Sequence, residues 1–331
     1  MMNSVRLAHL SDLHINAHDP KQSMIRAQLL FERVEQLRVD HIVITGDLTA
    51  DATEEEFGML RELLGSFGLL DPSRLTVVIG NHDVFGGVHL AEDILTFPRR
   101  CKDVAYKEQV ARFVDAFPEP FQHCLFGMRR RSFPFVKPFG PFLLVGVNTV
   151  ARHSRMNNPF GSNGEVDDEQ FEALQAMFDT PAVKKYPKLV LLHHHFSKRE
   201  EKTDGTMHSL WSAIEQQTMK LRKKKRLISL FLANDVRAIL HGHVHENFEY
   251  QRKGLRFING GGSILGPQKQ IISLNLLVAT QDDLHVRQID TVTPDRHGPH
   301  RIHTAIDSLP QLTEPEIQEL PRIAVNGLTS A

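Results

Sequence analysis

Short apolar runs alternate along the first part of the chain with longer segments whose apolar positions recur every three or four residues. Val5 to Leu10, Asp40 to Thr45 and Leu75 to Ile79 read as buried strands. Between the first two, Ser23 to Arg38 places Ile25, Leu29, Leu30, Val34 and Leu37 at helical spacing. Glu54 to Phe67 is the second helix, and its acidic first turn suits the helix dipole. Strands alternating with helices predict an α/β protein with a largely parallel sheet. Ligands of such sheets sit off the carboxyl ends of the strands.

The rhythm breaks from Val84 to Pro141, a stretch rich in Phe, Pro and Arg that includes Arg129-Arg130-Arg131-Ser132-Phe133-Pro134-Phe135. It reads as an inserted cap over about 84–141, helical around Tyr106 to Phe117. Either its Arg and Phe side chains touch substrate, with Arg130 a candidate contact, or it is a solvated basic loop over a satellite apolar cluster. Phe142 to Asn148 is the next strand, followed by a helix from Asp167 to Phe178 with Phe171, Leu174 and Phe178 at core spacing. Leu189 to Leu192 is a strand, and Trp211 to Leu232 is expected to be one long helix. Its basic run, Lys220 to Arg226, is either a solvated face or a dock for an anionic membrane or polyphosphate. Val236 to Leu240, Leu255 to Asn259, Ile271 to Val278 and Leu284 to Ile289 are further strands. The main domain is thus expected over 1–292. Residues 293–331, rich in Pro, His and polar residues, read as a loosely packed tail.

Chemistry collects where strands end. Asp12 and His14 are two apart, and on an extended segment both would point to one face. Gly46-Asp47 ends the second strand. Gly80-Asn81-His82-Asp83 ends the third, with Gly80 expected to let the backbone turn. His193-His194-His195 and Gly242-His243-Val244-His245 end two later strands. Gly260-Gly261-Gly262-Ser263 either brings backbone close to a substrate or makes a tight turn. The five strand ends offer three carboxylates (Asp12, Asp47 and Asp83), one amide and several imidazoles. That is too many donors for one ion and suits two. Nitrogen and oxygen donors without thiolate favour Mn, Fe, Zn or Co over a structural zinc. Two neighbouring ions clamp an in-line displacement at phosphorus, in which a bridging hydroxide attacks and a non-ligand imidazole assists the leaving oxygen.

Composition adds little to this picture. The chain of 331 residues suffices for one large α/β domain or two smaller ones. A formal net charge of −1 argues against a nucleic-acid partner. Cys101 and Cys124 give neither a disulfide framework nor zinc spacing, which fits a reducing compartment. With no secretory signal pattern and no run long enough for a membrane span, a cytoplasmic location is expected, with peripheral membrane contact as the alternative. The 19 histidines are the one oddity, and many of them cluster at the strand ends above.

The ordered set Asp12-Leu13-His14, Gly46-Asp47, Gly80-Asn81-His82-Asp83, His193 and Gly242-His243-Val244-His245 resembles the calcineurin-like metallophosphoesterase superfamily over about residues 5 to 265. Gly46-Asp47-Leu48-Thr49 followed by an acidic helix is most similar to its class III cyclic-nucleotide phosphodiesterase branch. The resemblance implies a double β-sandwich flanked by helices, which strand–helix alternation alone does not. It implies that Asp12, His14 and His245 bind one metal, that Asn81, His193 and His243 bind another, and that Asp47 bridges them. His82 would be the non-ligand histidine, oriented by Asp83, and His194 would lie near substrate. The implied partner is a small phosphodiester, such as a cyclic nucleotide, or a nucleotide diphosphate. Alternatives are a pyrophosphatase acting on a nucleotide-linked lipid at a membrane, a nuclease, or a scaffold without catalysis. Two departures bear on the substrate and not on the metals: the histidine pair continues with His195-Phe196-Ser197 where the branch usually continues with proline, and the insertion is long.

Overall fold

The computed structural model describes residues 4–88, 93–128, 131–196, 219, 221–265, 271–280 and 283–293. The expected tail therefore lies outside the described residues, apart from its first residue, as do Arg129 and Arg130.

The first sheet is built as expected from β1 (Val5–Leu10), β2 (His41–Thr45) and β3 (Leu75–Val78), all parallel. Two late strands, which we label β11 (Ile271–Ala279) and β12 (Leu284–Val292), add antiparallel to β1 and give the order β12-β11-β1-β2-β3. The helices α1 (Pro20–Gln36) and α2 (Glu54–Ser66) cover its outer face with Leu30, Phe31, Phe57 and Leu60, all buried. A capping box starts α2, with Thr53 accepting from the Glu56 amide.

A second sheet has seven strands in the order β4-β5-β6-β7-β8-β10-β9. These are β4 (Phe126–Met128), β5 (Arg131–Phe139), β6 (Phe142–Gly146), β7 (Lys188–Leu191), β8 (Val236–His241), β9 (Asn247–Arg252) and β10 (Leu255–Gly260). Its four central strands β6, β7, β8 and β10 are parallel, and their side chains alternate between two cores. Leu144, Leu189, Leu191, Ala238 and Leu240 face the first sheet. Leu143, Val145, Val190, Leu192 and Ile239 face α6 (Asp168–Asp179), α7 (Pro181–Lys184) and α8 (Lys224–Leu232) on the far side. Helix, sheet, sheet and helix thus form the double sandwich.

The 84–141 segment divides in two. Its first half follows the short helix α3 (His82–Phe85) with α4 (Asp93–Asp103) and α5 (Tyr106–Ala116). The rings of Phe113 and Phe117 pack edge-on against Phe57, which fixes α5 to α2. Its second half is sheet and not cap, because β5 pairs antiparallel with β6 from Phe135–Gly146 to Phe139–Phe142. The long helix expected from Trp211 also differs. Residues 211–218 and 220 lie outside the described residues, and Leu221 forms a bridge with Gly164. The Arg222 amide donates to Gly164 O at 2.7 Å, Lys223 adopts φ 50°, and the helix starts only at Lys224. Much of the basic run is paired: Arg222 and Lys223 contact Glu165 at 3.2 and 2.7 Å, and Arg226 contacts Asp168.

Candidate metal centre

Parallel pairing decides where the polar strand ends go. In the first sheet Leu10 is level with Ile44, and Thr45 with Val78. In the second, Gly146, Leu191 and Leu240 are level. The carboxyl ends of both sheets therefore open on one edge, and their loops are laced by backbone hydrogen bonds. The amides of Asp12, His14 and Gly242 donate at 3.0 Å to the carbonyls of Gly46, Asp47 and His193. The expected extended geometry at Asp12 and His14 does not hold. Asp12, His14, Asp47 and His243 have φ of 52°, 44°, 49° and 73°, the left-handed region that costs roughly 1 kcal/mol or more per non-glycine residue. These turns, not strand alternation, aim the side chains inward. Gly80 serves close approach and not a special φ, because a Cβ there would lie 2.2 Å from Asp47 N and Oδ1. Gly242 is equally tight, with Ser11 Oγ at 1.8 Å and Asp12 Oδ2 at 2.3 Å from a Cβ.

The structure brings all seven expected ligands together. Asp12, His14 and His245 form one group whose donor atoms lie within 4.8 Å of one another, and Asp47, His193 and His243 form another. Asn81 joins the second group, its Oδ1 3.0 Å from His193 Nε2. Asp47 stands between the two: its Oδ2 is 3.8 Å from His14 Nε2 and 3.2 Å from His193 Nε2. His82 makes a third overlapping group with His14 and Asp47. Six of the seven are buried, and His245 is exposed, so the centre opens to solvent beside His245 and the half-buried His82.

The donor set fits cations. His193 Nδ1 donates to Thr45 O at 2.8 Å, which leaves Nε2 as the lone-pair nitrogen of the neutral ring. That nitrogen faces Asp47 Oδ2, Asn81 Oδ1 and His243 Nδ1 at 3.0 to 3.2 Å, a convergence of electron-rich atoms that suits a proton or a metal ion. In the metal-free chain a proton does so. Burial opposes the charge, but the Asp47 carboxylate, Asp12 and the Thr45 bond carry the His193 imidazole up to about 9. Around it, burial holds His14, His194 and His243 well below the ordinary histidine range, in the neutral form that ligates. His14 Nε2 and His245 Nε2 also meet at 3.2 Å, and His243 Nε2 is buried without a partner.

The model of the family described as calcineurin-like phosphoesterase matches residues 5–247. The chain belongs to the calcineurin-like phosphoesterase family. It is 25% identical over 254 residues to a probable cyclic nucleotide phosphodiesterase of Coxiella burnetii, covering 74% of this chain and 78% of that one. Among solved structures, a dimetal phosphatase of Danio rerio superposes with a TM-score of 0.57 at 11% identity, over 88% of this chain and 99% of that chain. A purple acid phosphatase of yellow lupin gives 0.53 at 14% identity, over 87% of this chain and 52% of that chain. These structures share the two-sheet fold.

In this calcineurin-like phosphoesterase the Asp83 carboxylate does not orient His82 as expected. It accepts from the Gly80 amide at 2.9 Å and from the Thr49 amide and hydroxyl at 3.0 Å, tying the third strand end to the second. Burial, and then the charge of Asp47, push it up to about 7. The Ala50 carbonyl, 3.1 Å from Nδ1, is what holds the His82 ring. His194 lies beside the centre, its ring 4.5 Å from that of His243 and its Nδ1 2.8 Å from Thr149 Oγ1. Thr149 had no signal beyond standing just past a strand end. Ala50 and Thr45 act through backbone, which no residue type reveals. Arg130 lies outside the described residues.

Proposed function

We propose that this phosphoesterase is a dinuclear metal-dependent phosphodiesterase acting on a cyclic nucleotide or another nucleotide diester. The observation that carries the reading is Asp47, a buried carboxylate set between two histidine groups. Asp12, His14 and His245 would hold one Mn, Fe, Zn or Co ion, Asn81, His193 and His243 the other, with Asp47 shared. When bound, the ions supply Lewis-acid charge at phosphorus and the nucleophile. His82, its Nδ1–H held by Ala50, delivers a proton from Nε2 to the departing oxygen. Thr45 and Thr49 keep His193 and Asp83 in place. Similarity to the probable cyclic nucleotide phosphodiesterase of Coxiella burnetii supports the diester over the monoester.

The test is hydrolysis of bis(4-nitrophenyl) phosphate beside 4-nitrophenyl phosphate with Mn²⁺, for wild type and Asn81→Ala. Faster diester cleavage is expected, falling about 100-fold or more in the variant as one ligand is lost. Monoester preference would move the assignment to a phosphatase.

A further inference from the structure

A cavity of about 510 Å³ lies between α5 and the loop after β6, a size that suits a small organic ligand. No residue of the metal centre lines it, but two of the segments that wall it reach residues beside that centre. β6 ends level with β7, so its loop stands beside His193. Asn148 and Val150 form part of the wall, and Thr149 between them turns away to bond His194. On the other side Phe85, in the same short helix as His82, packs its ring 6.4 Å from that of Tyr106 at the cavity's edge.

The lining has two characters. Val110, Val114, Phe133 and Val150 make an apolar floor. Above it the Arg152 guanidinium lies 5.5 Å from the Tyr106 ring centre, and the Tyr106 hydroxyl donates to Val150 O at 2.8 Å and accepts from Asn148 Nδ2 at 3.1 Å. The rim carries both signs of charge: Lys107, Arg152 and Arg222 line it together with Glu165 and Asp167, and Arg222 contacts Glu165 at 3.2 Å while Arg152 is exposed. An acyl chain would bury the amides Asn148 and Asn157 against hydrocarbon at a cost, whereas a heterocycle offers them ring edges.

We propose that this cavity is the specificity pocket that receives the nucleoside of a nucleotide substrate while its phosphate lies at the metal centre, an inference that rests on the phosphodiesterase reading. Arg152 and Tyr106 would hold the ring and sugar, and the apolar floor would cover the ring face.

The experiment measures competitive inhibition of bis(4-nitrophenyl) phosphate hydrolysis, with Mn²⁺, by AMP, inorganic phosphate and dihexanoyl phosphatidate. AMP is expected to inhibit at least about tenfold more tightly than phosphate, as one or two additional polar contacts would give. Val110→Trp, which fills the floor, and Arg152→Ala, at the exposed rim, should each collapse that ratio while the bound metal per chain stays at the wild-type value. Equal inhibition by AMP and phosphate in wild type, or a ratio unchanged in both variants, would overturn the pocket and leave the phosphodiesterase reading standing. Tighter inhibition by the phosphatidate would overturn the nucleoside in favour of an acyl chain. A wild type inactive on the diester would overturn the phosphodiesterase reading, and the pocket with it.

Discussion

Because Nδ1 of His82 is tied to the Ala50 carbonyl, any proton this ring gives up must leave from Nε2. A general acid matters most when the leaving oxygen is a poor leaving group. His82→Asn should therefore lower kcat by about 10²–10⁴ for an alkyl diester and far less for a 4-nitrophenyl diester, with metal content unchanged. The check is kcat for the two leaving groups beside elemental analysis. Lost metal would instead make His82 a ligand, through the group it forms with His14 and Asp47. At this scale the sequence was most legible where a glycine and a ligand stand together, as at Gly46-Asp47, Gly80-Asn81 and Gly242-His243. There the glycine signals close packing and the neighbour signals chemistry. It was least legible at Asp83, whose partners Gly80 and Thr49 are set by a loop 34 residues upstream in the second case, and at the left-handed turns of Asp12 and His14. Those conformations belong to the tertiary lacing of the loops, not to local preference.

Elements carry their own ties, and β2 to β3 shows one. His41 opens β2, fully buried, with Nδ1 2.7 Å from Ser73 O and Nε2 2.8 Å from Thr76 Oγ1 in β3. Burial, assisted by Lys137 against the Ser73 bond, pushes it down to about 3. The folded chain thus keeps this ring neutral while the unfolded chain protonates near 6.5, so its contribution is complete above 6.5 and is lost as pH falls toward 3. His41→Gln removes that dependence, and the stability gap between wild type and variant should shrink by up to about 1.4 kcal/mol per pH unit between pH 6.5 and 4. Urea unfolding at several pH values reads it, and a gap independent of pH would refute the assignment. The strands of the first sheet were legible because each is a short apolar run bounded by turns. β4 and β5 were not, because Pro134 and Pro138 and the arginines interrupt their apolar pattern. β5 earns its place by pairing with β6, a contact that no local pattern encodes.

Across the whole molecule, the candidate centre is a seam. Asp12, His14, Asp47 and Asn81 come from the ends of the first sheet, and His193, His243 and His245 from the ends of the second. Ions held there would join two sheets that also meet through apolar packing and a few hydrogen bonds, such as His193 Nδ1–H to Thr45 O, so metal binding should appear as global stability. At a free-ion excess of 100 over Kd, each ion adds about 2.7 kcal/mol. Stripping with a chelator should then lower Tm by roughly 10 °C for a domain of this size, and Mn²⁺ should restore it. The loss should grow with pH. Metal-free His193, raised to about 9, contributes stability that is complete below 6.5 and is lost as pH rises through 9, whereas ion binding must displace that proton and so strengthens over the same range. Thermal unfolding with and without Mn²⁺ at pH 6.5, 7.5 and 8.5 should show a widening gap, and Asn81→Ala should retain about half of it. A gap that narrows with pH would mean that the proton on His193 and the ion do not compete for one position.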